Sequence, residues 1–134
     1  MAVLPPKHPR ADMQRISLQR LKSEPWVTGT RELGWRLEDE VIAACTAAGF
    51  EPRVVQRTTR MTTTISLVAS GLGVALLPIT VARLAFGGAV YRQLRPPGSS
   101  VPVAVAWRRD QTAPVLAHFM AVVRQSALWQ IVGS

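Results

Sequence analysis

The chain has 134 residues and a formal net charge of +8, and 48% of its residues are hydrophobic. That length suits one modest domain and is short for two, and so apolar a composition argues against disorder. Cys45 is the single cysteine, which excludes an internal disulfide and a cysteine-rich metal site. The N-terminal segment is too short and too rich in proline for a signal peptide, so we expect a cytoplasmic protein.

The excess of basic charge raises the hypothesis of nucleic-acid binding. The sixteen lysine and arginine residues are scattered along the chain, however, and aromatic residues do not alternate with them as stacking platforms. The pattern therefore favours an arginine-rich solvated surface over a nucleic-acid interface.

The first predicted elements are short. Residues 2–4 are expected to form a strand, followed by a loop that is interrupted by prolines. Ser17 is placed to cap a short helix over residues 17–24, because its hydroxyl can accept from the first free backbone N–H groups. Pro25 ends that helix before a strand over residues 26–28.

From Gly34 onward the apolar residues take helical spacing. One face of the predicted helix carries Leu37, Val41, Ala44 (with Cys45) and Ala48. Its first turns are acidic, which complements the helix dipole, and Gly49 follows as a stop. A strand is expected over residues 53–57. A second helix is then marked by Met61, Ile65, Val68 and Leu72.

The stretch GLGVALLP predicts the exit from that second helix. Gly71 is expected to be a left-handed cap, and Gly73 permits a close turn into residues 74–77. Those four residues are all apolar, as a strand covered on both faces requires. Pro78 ends the strand and can open a further helix over residues 79–85.

The remaining elements are strands over residues 90–94 and 101–107 and a helix over about 113–131. The apolar side of that last helix comprises Val115, Leu116, Phe119, Val122 and Val123. Strands and helices alternate throughout, which predicts an α/β fold with a mostly parallel sheet flanked by helices.

Three other interpretations of GLGVALLP are less favourable. Residues 61–82 carry no charge and could span a bilayer by length, but threonines, serines, glycines and Pro78 dilute their hydrophobicity. A dinucleotide-binding fingerprint is excluded because Leu76 stands where its third glycine would be. A hydrolase elbow is excluded because Val68, not glycine, lies two residues before Ser70.

Residues suited to catalysis or metal binding are few. His8 and His118 are far apart and lack a paired cysteine or carboxylate motif, and Cys45 lies on an apolar helix face. Glu38 and Glu40 are two residues apart and cannot share a helix face. We therefore expect no metal, no cofactor and no enzymatic activity.

One arrangement favours ligand binding. Two predicted helices begin near Trp35 and near Thr62, each directly after a parallel strand, and such junctions face the ligand crevice of an open α/β sheet. Helix N-termini attract anions through their free backbone N–H groups. Possible contributors are the hydroxyls of Thr62, Thr63 and Thr64 and a cation from Arg31 or Arg36. The alternative, equally open, is that the threonines only cap the helix and Arg36 is solvated.

Several segments resemble the effector-binding domain of LysR-type transcriptional regulators. They are, in order, ISLQRLKSEPWV, EDEVIAACTAAGFEPRVV, ISLVASGLGVALLP, VAVAWRRD and a final amphipathic helix. The resemblance covers nearly the whole chain, and AGFEP and LVASGLGVALLP are its most specific parts. It implies a periplasmic-binding-protein-like (type II) fold, in which two lobes close on a small effector.

The resemblance also implies a division of the chain and a set of site residues. Residues 1–107 correspond to the second lobe with its hinge strands, and residues 108–134 to the return of the chain into the first lobe. The effector-binding residues are then Trp35, Arg36 and Leu37 at one anion site and Thr62 and Thr63 at the opposite wall, with Arg31 as a further candidate. The family's winged helix-turn-helix has no counterpart here, so DNA contact is expected only through a domain absent from this chain.

We therefore expect a ligand-sensing regulatory domain that binds a small organic anion of the aromatic or dicarboxylic acid class. The last helix would leave Val115, Phe119 and Val123 exposed, which predicts a homodimer or a swapped assembly in which the last helix of one chain packs on another chain. No membrane partner is expected. Two alternatives are an oligomerisation module without a ligand and the solute-binding protein of a transporter. The lack of a signal peptide argues against the latter.

Overall fold

The computed structural model describes residues 1–30, 37–84, 86–96, 105–108, 110 and 112–125, apart from the side chains of residues 83 and 84. The chain forms two compact units, Met1–Val101 and Pro102–Ser134. From residue 15 onward, strands alternate with helical segments along the first unit, and the predicted α/β class is confirmed. The assignment of residues 1–107 to a second lobe stays a prediction.

The described residues of the first unit form six short strands. They are β1 (Ala2–Leu4), β2 (Arg15–Ile16), β3 (Pro25–Gly29), β4 (Arg53–Thr58), β5 (Ala75–Leu76) and β6 (Val90–Leu94). One sheet has the order β2-β6-β1-β5, and the other pairs β3 with β4. The pairs β2–β6 and β3–β4 are parallel, whereas β1 runs antiparallel to both of its neighbours. A strand was also predicted over residues 101–107. Residues 105–107 are not in a strand, and residues 101–104 lie outside the described residues.

The segment before β5 connects the two sheets. The backbone N–H of Val74 donates to the carbonyl oxygen of Pro25 at 2.8 Å, and the N–H of Val27 donates to the carbonyl oxygen of Val74 at 2.9 Å. Gly73 permits this contact, because a Cβ there would lie only 2.3 Å from the Pro25 oxygen. The sequence assigned Gly73 to a turn, but the structure adds a stricter reason, the close approach of two backbones.

The described part of the first unit contains two α-helices, α1 (Leu37–Ala47) and α2 (Met61–Ala69). Gly49 and Gly71 follow them with φ of 84° and 90°, which confirms both predicted stops. The two other predicted helices form 3₁₀ turns instead, Leu18–Leu21 and Ile79–Leu84, and residue 85 lies outside the described residues. Ser17 precedes the first turn, but its hydroxyl makes no capping bond, so that part of the prediction is wrong.

The core of the first unit has two halves separated by β3. Trp26 packs with Val41 and Cys45 of α1 in one cluster, whereas Val27 packs with residues of α2 in the other. Adjacent strand residues point to opposite faces, which accounts for this division. Residues 74–77 are likewise buried and shared between the clusters, as expected for a strand covered on both faces.

The second unit contains α3 (Pro114–Gln125). Val115, Phe119 and Val122 are 75%, 48% and 56% exposed, whereas Met120 is buried. Val123, which the sequence placed on the open face, is half-buried instead. Residues 126–131 of the predicted helix lie outside the described residues. Within the part of the chain that the structure describes, no helix combines the length and apolar character that a bilayer crossing needs.

Candidate functional site

The carboxyl ends of β3 and β4 lie side by side. Gly29, the last residue of β3, is the register partner of Thr58, the last residue of β4. Because the two strands are parallel, the helices that follow them in the chain, α1 and α2, begin at the same edge of the sheet. The structure therefore brings together the two strand-to-helix junctions that the sequence predicted, the position where open α/β sheets bind ligands.

A small cleft of about 30 Å³ opens at this edge. Its walls are formed by Gly29, Thr30, Leu37, Thr58, Thr59, Arg60, Met61 and Thr64. The volume is large enough to admit a small polar group. The cleft combines hydroxyl groups and one arginine with the apolar side chains of Leu37 and Met61.

Two buried threonine hydroxyls form the polar wall of the cleft. The Oγ1 atoms of Thr58 and Thr64 are 2.6 Å apart, and each lies 3.3 Å from the carbonyl oxygen of Arg60. Thr64 is four residues beyond Arg60, so its hydroxyl bonds back to a carbonyl of the preceding turn, as threonine does in helices. The pair joins the end of β4 to the first turns of α2.

An ion pair joins α1 to β4 beside the cleft. Glu38, in the first turn of α1, is 4% exposed, and the Nε atom of Arg57 donates to its carboxylate at 2.8 Å. The side chain of Arg57 is 56% exposed. The partially solvated guanidinium of Arg57 thus pairs with the negative charge of Glu38. That negative charge, in the first turn of α1, also complements the helix dipole.

The N-terminus of α2 differs from that of α1. Its first turn contains no acidic residue, and Arg60 is the N-cap residue with extended backbone and no side-chain capping bond. The first N–H groups of a helix have no partner within it, so this end has partial positive charge beside an arginine. Both features favour an anion over a cation at this position.

The site residues predicted from the sequence have three different positions. Leu37 lines the cleft. Thr62 and Thr63 are exposed in the first turn of α2 and do not line it. Arg31, Trp35 and Arg36 lie outside the described residues.

Sequence reasoning named Thr64 as a possible hydroxyl contributor but missed Thr58 and Thr59. Both precede the helix, whereas the prediction concentrated on the helix start. The run Thr58-Thr59-Arg60 between a strand and a helix is the signal that could have identified them, because ligand contacts concentrate on such connections.

The other potentially reactive side chains, His8 and Cys45, are in buried positions that indicate a structural role. The His8 side chain is 5% exposed; its Nδ1 atom accepts from the backbone N–H of Arg10 at 3.1 Å, and its Nε2 atom lies 3.3 Å from Glu24 Oε1. Burial raises the pKa of the Cys45 thiol to about 11, so it is a core side chain rather than a nucleophile. The described residues contain no group of three potential metal ligands among His, Cys, Asp and Glu.

A second concave surface runs along α3 in the other unit. It encloses about 330 Å³ and is lined by Trp107, Leu116 and Met120 with several smaller residues and Arg124. Trp107 is 48% exposed. This groove is larger than the cleft at the sheet edge, but it lacks the convergent hydroxyl groups that define a polar ligand site.

A family model, the LysR substrate binding domain, matches residues 1–128. The chain belongs to this family. The resemblance found in the sequence is thereby confirmed, and with it the periplasmic-binding-protein-like class of the fold.

Individual proteins agree with this assignment. The chain is 29% identical to the HTH-type transcriptional regulator AlsR of Bacillus subtilis over 119 residues, which cover 89% of this chain and 39% of that protein. It therefore spans about two fifths of that regulator. The C-terminal domain of a probable LysR family regulator from Rhodococcus sp. RHA1 is 30% identical, with a TM-score of 0.73, over 92% of this chain and 62% of that one.

A third likeness concerns the fold alone. The BenM effector binding domain, solved with its effector benzoate, has a TM-score of 0.61 and 21% identity over 70% of this chain and 43% of that one.

Proposed function

We propose that this chain is a ligand-sensing regulatory domain of a LysR-type transcriptional regulator, and that it binds a small organic anion at the carboxyl edge of β3 and β4. One observation carries the proposal: α1 and α2 begin together at this edge, beside a cleft with threonine hydroxyls and Arg60. The family assignment supports it, and the BenM domain of similar fold is described with benzoate as its effector.

The anion would bind at the first turn of α2. Arg60 supplies a permanent positive charge, and the N–H groups of Met61, Thr62 and Thr63 supply donors. Thr62 and Thr63 are exposed and accessible to such a ligand. The opposite wall is proposed to involve Leu37 and, outside the described residues, Arg31, Trp35 and Arg36.

Binding would control transcription by shifting a conformational equilibrium. An effector with different affinity for two arrangements of the regulator shifts their populations by that difference. DNA contact is assigned to a domain outside this chain, in keeping with the chain's length of about two fifths of the regulator AlsR.

Thermal unfolding of the chain against aromatic and dicarboxylic acids tests this proposal. We expect one acid to raise the transition temperature saturably, and we expect Thr62→Val and Arg60→Gln each to weaken that effect. Thr46→Val, an exposed threonine in the last turn of α1, is the matched control and should behave like the unchanged chain. A cooperative transition that no acid shifts would overturn the proposal.

A second candidate function, assembly, is favoured by α3. Val115, Phe119 and Val122 follow one another at spacings of four and three residues, so they lie along one side of the helix. Exposed apolar side chains of this number and spacing favour association with another apolar surface. We propose that a second copy of the chain covers them in a homodimer.

Light scattering across a hundredfold range of concentration tests the homodimer. The double variant Val115→Ser/Phe119→Ser should shift the mass to that of a monomer. Ala117→Ser, an exposed position on the same helix, should leave the mass unchanged. A monomeric mass for the unchanged chain at every concentration would contradict this candidate.

A further inference from the structure

We infer that the cleft between β3, β4 and α2 selects a ligand hydroxyl group, so that the effector is a hydroxycarboxylic acid. This inference rests on the proposed function, because it names the chemical class of the anion bound at the same edge. The selection depends on how many hydroxyl protons of the cleft wall can be donated to a ligand.

Both hydroxyl protons of the threonine pair have an acceptor within the cleft wall. Each hydroxyl supplies one donor and two acceptor sites. The short contact between Thr58 and Thr64 uses one of the two protons, and the other is directed to the carbonyl oxygen of Arg60, 3.3 Å from both hydroxyls. Whichever threonine donates to the other, the pair as a whole presents only lone pairs to the cleft.

The lone pairs of the Thr58–Thr64 pair discriminate between ligand groups. A carboxylate or carbonyl oxygen placed against it would meet lone pairs, whereas a hydroxyl or amine can donate to them. Both threonines are nearly fully buried, Thr58 at 6% and Thr64 at 1% exposure, so water does not readily compensate for a wrong group. The cleft volume of about 30 Å³ is large enough for a hydroxyl group.

Donors lie instead at the rim. Thr59 and Arg60 are exposed residues that line the cleft, and the N–H groups of the first turn of α2 lie beside them. A carboxylate can therefore be held outside the cleft while a hydroxyl of the same molecule enters it. This separation of donors and acceptors, rather than charge alone, points to a hydroxy acid.

Matched pairs of acids provide the test. The dissociation constants of malate and succinate, and of 3-hydroxybenzoate and benzoate, are measured on the intact chain by titration calorimetry. Within at least one pair the hydroxy acid should bind roughly tenfold more tightly, the effect of one well-made hydrogen bond. Equal affinities within both pairs would overturn the inference and leave the proposed function standing. Absence of binding by all four acids would count against both.

Variants of the wall complete the test. Thr58→Val/Thr64→Val replaces both acceptors with side chains of similar shape, and the preference for the hydroxy acid should disappear. Thr58→Ser/Thr64→Ser retains both hydroxyls and should retain the preference. Thr46→Val is again the control. A preference that persists in the valine pair, with its fold intact by circular dichroism, would contradict the assignment.

Discussion

The junction of β3 with α1 and the junction of β4 with α2 lie at the same sheet edge but differ in chemistry. At α1, three acidic residues occupy the first turn, and the buried Glu38 is paired with Arg57. At α2, the first turn has no acidic residue, and the tie between strand and helix is an uncharged hydroxyl pair. Topology places both helix ends at the same edge, but the first turn of α2, unlike that of α1, carries no acidic side chain to oppose an anion.

The largest expected effect comes from disrupting the backbone contact between β3 and the segment before β5, which Gly73 permits. Gly73→Ala would place a Cβ 2.3 Å from the Pro25 carbonyl oxygen, so β3 and the segment before β5 must separate. We expect a loss of about 3 kcal/mol in the free energy of unfolding, measured with urea. Gly87→Ala is the control, because nothing lies within 4 Å of its added Cβ. Equal midpoints for the two variants would show that the close approach is not required.

The ion pair at the α1 junction should matter next most. Removing Arg57 deprives the buried Glu38 carboxylate of one partner, although exposure of the arginine lets water compensate in part. Arg57→Met should therefore cost about 1–2 kcal/mol, less than for a fully buried pair. Arg53→Met, at the exposed start of β4, is the matched control. A double-mutant cycle with Glu38→Gln isolates the coupling, and a coupling of zero would refute the pairing.

The hydroxyl pair at the α2 junction should show a smaller and non-additive effect. Thr58→Val or Thr64→Val alone should cost about 1 kcal/mol, because the partner hydroxyl loses its short hydrogen bond while buried. The double variant should cost no more than either single one, because apolar groups of similar shape then replace both partners. Additive losses in urea unfolding would contradict this distinction between the two junctions.

The smallest expected effect is a change in the labelling rate of Cys45, which lies on the α1 side of β3. Its pKa is raised from 9.0 to about 11 by burial, so at pH 8 the thiolate fraction is roughly 100-fold lower than that of an ordinary thiol. Iodoacetamide should therefore label it mainly through opening of the structure. Arg57→Met should accelerate labelling, whereas Thr64→Val, on the other side of β3, should accelerate it less. Equal acceleration of labelling in the two variants would contradict the expected difference between the two sides of β3.

The same pKa shift fixes the sign of a pH dependence. The folded state binds the thiol proton more tightly than the unfolded state does, so unfolding releases a proton above pH 9. The contribution of Cys45 to stability is fully present below pH 9 and is lost as the pH rises toward 11. Cys45→Ala should remove that portion of the pH dependence.

The sequence predicted most of the elements because their signals are local. Helical spacing identified α1 and α2, and Gly49 and Gly71 marked their ends. Contacts between distant residues were not predictable in the same way. Glu38 was examined as half of a carboxylate pair and as part of the acidic first turn, whereas its observed partner Arg57 is nineteen positions away on β4.

The candidate site shows the same limit. The edge of the sheet could be predicted from the alternation of strands and helices, but the pairing of Thr58 with Thr64 depends on how α2 is placed against β4. Ser17 illustrates the reverse error, since a correct capping residue does not make its bond when the turn is 3₁₀. Local rules identify the elements, and packing decides which side chains meet.

The central position of β1 has a consequence for synthesis of the chain. β1 lies between β5 and β6, and Ala2 pairs with both Leu76 and Arg92. At translation rates of about 5–20 residues per second, the strand therefore leaves the ribosome roughly 4–18 seconds before its second partner does. Until β5 emerges, both edges of this apolar strand are unpaired, and until β6 emerges one edge remains so, which is the condition for wrong pairing with other chains. We therefore expect this segment to need protection from such pairing while the chain is being synthesised.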